Sequence, residues 1–189
     1  CEASLSRMGV DVIDLYQIHR PDLYAHPADV AGTLTELRVA GKIREVGVSN
    51  HTPAQVAALQ AHLDFPIATN QPEFSARRLY PMRDGTFDQC MQLGITPMAW
   101  SPLAGGSLAT GHGVAPELVV ELDRLAEREG VDRGHIAMAF VLAHPSRPIA
   151  IVGSQNIDRI TDTVRALAVQ LDRADLYTIV QASEGVPLP

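Results

Sequence analysis

Apolar runs of this sequence repeatedly end on groups that can bind something. DVIDLYQIH ends on His19. IREVGVS ends on Ser49 with Asn50 next, and PIATN ends on Asn70 with Gln71 next. ITPMAW ends on Trp100 with Ser101 next, and IAIV is followed by Gly153 and Ser154. Each has an ordinary structural use. A histidine can be a satisfied core residue, Ser-Asn a turn or cap, Gln71 before Pro72 a strand exit, and a tryptophan core packing. Gly153-Ser154 ahead of a helix reads as an N-cap, or as a seat for phosphate on backbone N–H groups. Taken together, the endings point to one wet pocket on a single rim. A catalytic metal would need several His, Asp or Glu at these ends. Only His19 qualifies, so no metal site is assigned. The nearest approach to a phosphate loop, Gly106 to His112, has histidine where lysine belongs. The glycine-rich stretch around it reads as a flexible flap.

The elements that must carry these ends alternate. Strands are expected at about 11–19, 43–49, 66–70, 95–100 and 149–152. Helices are expected at about 28–40, from Pro53 behind a Thr52 cap, at 86–93, at 116–129 stopped by Gly130, and from an Asp132 cap to 143. Two more are expected near 156–168 and 173–183, the second capped by Asp172, before a non-helical tail VPLP. Val30, Leu34 and Leu37 form one buried stripe, and Val56, Leu59 and Leu63 another. Strand–helix units of roughly 30 residues imply a parallel sheet, either doubly wound or a (β/α)8 barrel. IAIV and ITPMAW are apolar nearly throughout, as strands covered on both faces should be. The first strand is not followed by G-x-G-x-x-G, which removes the dinucleotide-binding form of the doubly wound fold. In a barrel, chemistry sits at the C-terminal strand ends.

Composition agrees with a globular chain. It has 189 residues, 46% of them hydrophobic, and a net charge of -7. The acidic balance disfavours nucleic acid and anionic membranes as main partners, and no apolar run is long enough to span a bilayer. No secretory leader is visible, so a cytoplasmic location is expected. Cys1 and Cys90 read as reduced thiols rather than a disulfide framework.

DLYQIHRPD, VGVSNH, NQPEFS, AWSPLAGG and IVGSQNIDRI, in this order, resemble the aldo-keto reductases, most closely a bacterial branch. The likeness covers essentially the whole chain. It implies an α/β fold, a (β/α)8 barrel with only strands 4–8 and their helices present. It implies one N-terminally truncated domain over residues 1–189. It also implies NADP(H)-dependent reduction of an aldehyde or ketone, without metal. His19 matches the histidine that orients the substrate carbonyl. Ser49, Asn50 and Gln71 match the residues that hold the nicotinamide carboxamide. Trp100 matches the aromatic stacked on the nicotinamide ring. Ser101 and Leu103 match the loop over the pyrophosphate, and Gly153, Ser154 and Arg159 the segment that binds the adenosine 2′-phosphate. Gly153 stands where many members have lysine, which leaves the NADP preference on Arg159. The family's catalytic Tyr, Lys and Asp belong to the first three strands, and no residue here is assigned to them. The chain alone is therefore expected to be inactive. The alternative is a non-catalytic nucleotide-binding subunit on the same fold. Neither substrate identity nor oligomeric state follows from the sequence.

Overall fold

The computed structural model describes residues 1–187. The chain forms two compact units. One is Cys1–Pro72 with Asp84–Pro97, and the other is Glu73–Arg83 with Met98–Pro189.

The first unit runs α1 (Glu2–Met8), β1 (Ile13–Ile18), α2 (Pro27–Val39), β2 (Ile43–Ser49), α3 (Pro53–Gln60), β3 (Ile67–Gln71) and α4 (Thr86–Leu93), then the start of β4 (Thr96–Ala99). Neighbouring strands pair in parallel, β1 with β2, β2 with β3 and β3 with β4. Local chemistry sets the helix starts. Thr52 accepts from the N–H of Gln55, and the Gln55 side chain accepts from the N–H of Thr52. This reciprocal cap fixes the start of α3 just after the β2 end. Pro27 opens α2 behind His26, whose ring accepts from the N–H of Ala28. Leu34, Val46, Val48, Val56, Leu59, Leu63 and Ile67 are buried in one core, with Val30 and Leu37 packed against it. Both expected stripes thus face inward. The strand at 43–49 matches β2, whereas α1 was not expected. Its only buried side chain is Leu5, too weak an apolar stripe to mark a helix.

The second unit holds the end of β4, α5 (Ser107–Thr110), α6 (Pro116–Glu129), α7 (Arg133–Leu142), β5 (Ile149–Ala150), α8 (Ile157–Asp162) and α9 (Arg173–Glu184). Its core is built from Phe74, Leu108, Leu118, Leu122, Leu125, Ile136 and Ile179, all fully buried. Gly130 ends α6 in the left-handed conformation that glycine adopts without cost.

Three expectations need correction here. The fifth strand is only two residues long and is not covered on both faces: Ile149 is 52% exposed. It pairs with β4 alone, so one edge has no strand partner among the described residues. The helix expected at 156–168 is two pieces, α8 and a 3-10 helix over Thr163–Ala168. The presumed flap is tied down. A 3-10 turn over Ala104–Gly106 leads into α5, and Leu108 is fully buried. Positive φ at Gly105 and Gly106 is what lets the chain turn so tightly there. Of the VPLP tail, Leu188 and Pro189 lie outside the described residues. Among the described residues no helix is long and apolar enough to cross a membrane.

Candidate functional site

In the first unit the ends of β2 and β3 form one hydrogen-bonded cluster. Gln71 follows Asn70 at the end of β3, and Ser49 stands opposite it in the β2–β3 register. The Ser49 hydroxyl donates to the Gln71 carbonyl at 2.9 Å, and the Asn50 side-chain amide donates to Ser49 Oγ at 3.0 Å. The Asn50 N–H also donates to that carbonyl, at 3.1 Å. Asn50 has φ 56, a left-handed conformation that asparagine tolerates better than most residues. It swings the chain out of the sheet at the strand end. The Ser49 proton is spent on protein, so the hydroxyl has only a lone pair left to offer a ligand.

Behind these ends lies a second tier that the sequence reading passed over. Gln17 Nε2 donates to Gln71 Oε1 at 3.0 Å, and the Thr69 hydroxyl donates to Gln17 Oε1 at 2.8 Å. No acceptor among the described residues takes the Gln71 Nε2 protons. Two signals were present in the sequence. Gln17 precedes His19 by two residues and so shares its strand face, and Gly47 interrupts a strand, which marks a close approach.

On the opposite face of β3, Asn70 is buried and donates to the His51 carbonyl at 3.0 Å, while its Oδ1 has no hydrogen-bond partner among the described residues. The buried His51 ring lies 3.0 Å from the Ser49 carbonyl. Burial disfavours its charged form and lowers its pKa, against a smaller opposing effect of that hydrogen bond. His19 is exposed just past β1 and has no hydrogen-bond partner among the described residues.

In the second unit, Trp100 is partly exposed, and its carbonyl accepts from the N–H of Phe74 at 3.3 Å. Ser101 has φ 53. Its hydroxyl accepts from the N–H of Gly105 at 2.9 Å, and the Leu103 carbonyl accepts from the N–H of Gly106 at 2.9 Å. The loop after Trp100 is thus held by its own backbone. Ser154 accepts from the N–H of Asn156 at 3.1 Å, and Asn156, not Ser154, caps α8 by accepting from the N–H of Arg159 at 3.0 Å. The Arg159 side chain is exposed, and its guanidinium has no protein partner among the described residues. A Cβ added at Gly153 would meet nothing within 4 Å. The segment therefore has room and an uncommitted positive charge.

Asp132, His135 and Asp162 bring possible ligand atoms within 4.8 Å of one another. Both His135 nitrogens are engaged, however: Nδ1 accepts from the N–H of Asp132 at 3.2 Å and Nε2 lies 3.0 Å from the Asp162 carbonyl oxygen. This cluster joins two helix ends. The buried Cys90 thiol is pushed up to about 11 by desolvation, which suits an inert packing role.

The parallel strands and the helices that follow them define an α/β protein of the barrel class. The chain belongs to the aldo/keto reductase family, whose model matches residues 1–184. It is 46% identical over 187 residues to a 6-dehydroglucose reductase of Novosphingobium aromaticivorans, covering 98% of this chain and 62% of that protein. It is 40% identical over 189 residues to the Escherichia coli oxidoreductase YdhF, covering 100% of this chain and 63% of that one. Its fold matches the crystal structure of the thermostable aldo-keto reductase Tm1743, solved with the inhibitor epalrestat. That match has a TM-score of 0.87 at 24% identity, over 96% of this chain and 64% of that one. The chain thus spans less than two thirds of the length of these relatives.

Proposed function

We propose that this chain is the cofactor-binding part of an NADP(H)-dependent reductase that converts an aldehyde or ketone to its alcohol. The observation that carries the reading is the Ser49–Asn50–Gln71 cluster at the strand ends. It presents amide protons on Gln71 that no acceptor among the described residues takes. A carboxamide needs such a donor. In the first unit, Asn50 and Gln71 would hold the carboxamide, with Ser49 fixing Asn50. In the second, Trp100 would stack on the nicotinamide ring, and Ser101 and Leu103 would line the pyrophosphate. Gly153, Ser154 and Arg159 would take the 2′-phosphate, with Arg159 supplying a planar fork suited to phosphate oxygens. The nicotinamide, when bound, supplies hydride. His19, exposed and with no hydrogen-bond partner among the described residues, would donate a hydrogen bond that orients the substrate carbonyl. No residue here is assigned as the proton donor. Absence of a general acid costs on the order of 10²–10⁴ in rate, so the chain alone binds cofactor and turns over little. The name of the Novosphingobium relative makes an oxidised sugar the first carbonyl to try.

The test compares 2′,5′-ADP with 5′-AMP by calorimetry, in the wild type and in Arg159→Ala. The bisphosphate is expected to bind more tightly, and the substitution to weaken it roughly tenfold while sparing 5′-AMP. Equal affinity for both nucleotides would refute the NADP preference. Steady NADPH consumption by the pure chain with an aldehyde would refute the missing acid.

A further inference from the structure

Gln17, Gly47 and Thr69 occupy one row across three parallel strands, because Gln17 pairs with Gly47 and Gly47 with Thr69. Adjacent strands lie about 4.8 Å apart, so β1 and β3 are separated by about 10 Å. A side chain at the middle position would fill that space. Glycine leaves it open, and the Gln17 side chain crosses over it. A Cβ at Gly47 would sit 2.1 Å from Thr69 Oγ1 and 2.9 Å from Gln17 Cγ. Gly47 has no positive φ, so backbone strain does not explain it. The crossing does.

The crossing has a direction. A primary amide has an acceptor end and a donor end, whereas a hydroxyl has one proton. Thr69 gives its proton to Gln17 Oε1, which turns Gln17 Nε2 toward Gln71. That nitrogen takes Gln71 Oε1, so Gln71 must show Nε2 to whatever binds at the strand end. We propose that Thr69 and Gln17 are positioning residues that set the Gln71 amide with its N–H outward, making the site a receptor for the carbonyl oxygen of a carboxamide rather than for its NH2 group. The inference rests on the cofactor reading above and deepens it. Fixing the amide before binding removes a reorientation cost, as preorganised sites do.

The test uses three probes on the full chain: NADP+, its 3-acetylpyridine analogue and 2′,5′-ADP. The analogue keeps the carbonyl oxygen and replaces NH2 with methyl. The wild type is expected to bind the analogue about as well as NADP+. Gln17→Glu places an acceptor-only group beside Gln71, so the Gln71 amide turns over and presents oxygen. NADP+ can answer by rotating its carboxamide, whereas the analogue cannot. Its affinity relative to NADP+ should fall roughly tenfold. Both ligands carry the same pyridinium charge, so the added carboxylate cancels from that ratio. Binding of 2′,5′-ADP should be unchanged and reports folding. Gln17→Leu, which removes both amide ends, should cost both nicotinamide ligands a few fold at an unchanged ratio. An unmoved ratio in Gln17→Glu, with NADP+ still bound, would overturn the relay and leave the cofactor reading standing. Loss of all three ligands in Gln17→Glu with full binding in Gln17→Leu would reduce Gln17 to packing and overturn it too. A wild type that binds none of the three would remove the cofactor reading, and the relay with it.

Discussion

Gly47→Ala tests the crossing by stability alone. The added methyl would meet Thr69 Oγ1 at 2.1 Å. Threonine is stiff about χ1 and cannot easily turn away, so the hydroxyl must move and its bond to Gln17 breaks. Overpacking costs about 1–3 kcal/mol and the lost hydrogen bond about 0.5–1.5 kcal/mol. The total is about 2–4 kcal/mol. In a Thr69→Ala background the offending oxygen is gone and the bond is already lost. There the methyl meets only the flexible Gln17 Cγ at 2.9 Å, and the cost should drop to about 1 kcal/mol. A double-mutant cycle by urea unfolding, followed by far-UV circular dichroism, should therefore give a coupling of about 1–3 kcal/mol. Additive effects, within about 0.5 kcal/mol, would mean that Gly47 is not required by the Gln17–Thr69 crossing.

Other outcomes follow from the titrating groups. His51 is held neutral by burial, with its pKa below the ordinary value. The unfolded chain therefore binds the extra proton, and stability should decline as pH falls through about 6.5. His51→Gln should flatten that part of a pH–urea-midpoint curve, and an unchanged slope would contradict the assignment. The Arg128 guanidinium, at 2.8 Å, holds the Asp175 carboxyl below its ordinary range. Its stabilisation is present above the unfolded pKa and should be lost as pH falls below about 4. Asp175→Asn should lower the melting temperature at pH 7 and bring wild type and variant together near pH 2. A constant gap between them would count against the pairing. His19→Ala should leave cofactor affinity within about twofold, because the ring is assigned to substrate. A large loss, read by calorimetry, would place it on the cofactor instead.

Much of this architecture was legible because it is written locally. Thr52, Asp132 and Asp172 sit at helix starts, Gly130 at a helix end, and VGVS on β2, and short-range periodicity and capping suffice to find them. The places of Ser49 and Gln71 at the ends of β2 and β3 were also legible, since a strand that stops on a polar residue announces itself. The Gln17 relay was not. It depends on which residue of β3 lies two strands away from β1, and register of that kind is set by tertiary packing. The same holds for the left-handed turns at Asn50 and Ser101, residues that carry no glycine signal. Asp175 was hidden for another reason. Its partner Arg128 lies on α6, 47 residues earlier, and only the packing of α6 on α9 brings them together. The fifth strand is shorter than IAIV suggests, because an apolar run looks buried by composition, whereas Ile149 is half exposed and the strand pairs only with β4 among the described residues.

On the proposed function, this chain holds NADP(H) by itself. Trp100 is its only tryptophan and is assigned to the nicotinamide ring, so its fluorescence should report occupancy directly. Titration of folded, soluble chain with NADPH should give saturable quenching, with NADH binding more weakly. No saturable quenching by either nucleotide, in protein shown to be folded by circular dichroism, would mean that the chain does not hold the cofactor in this way.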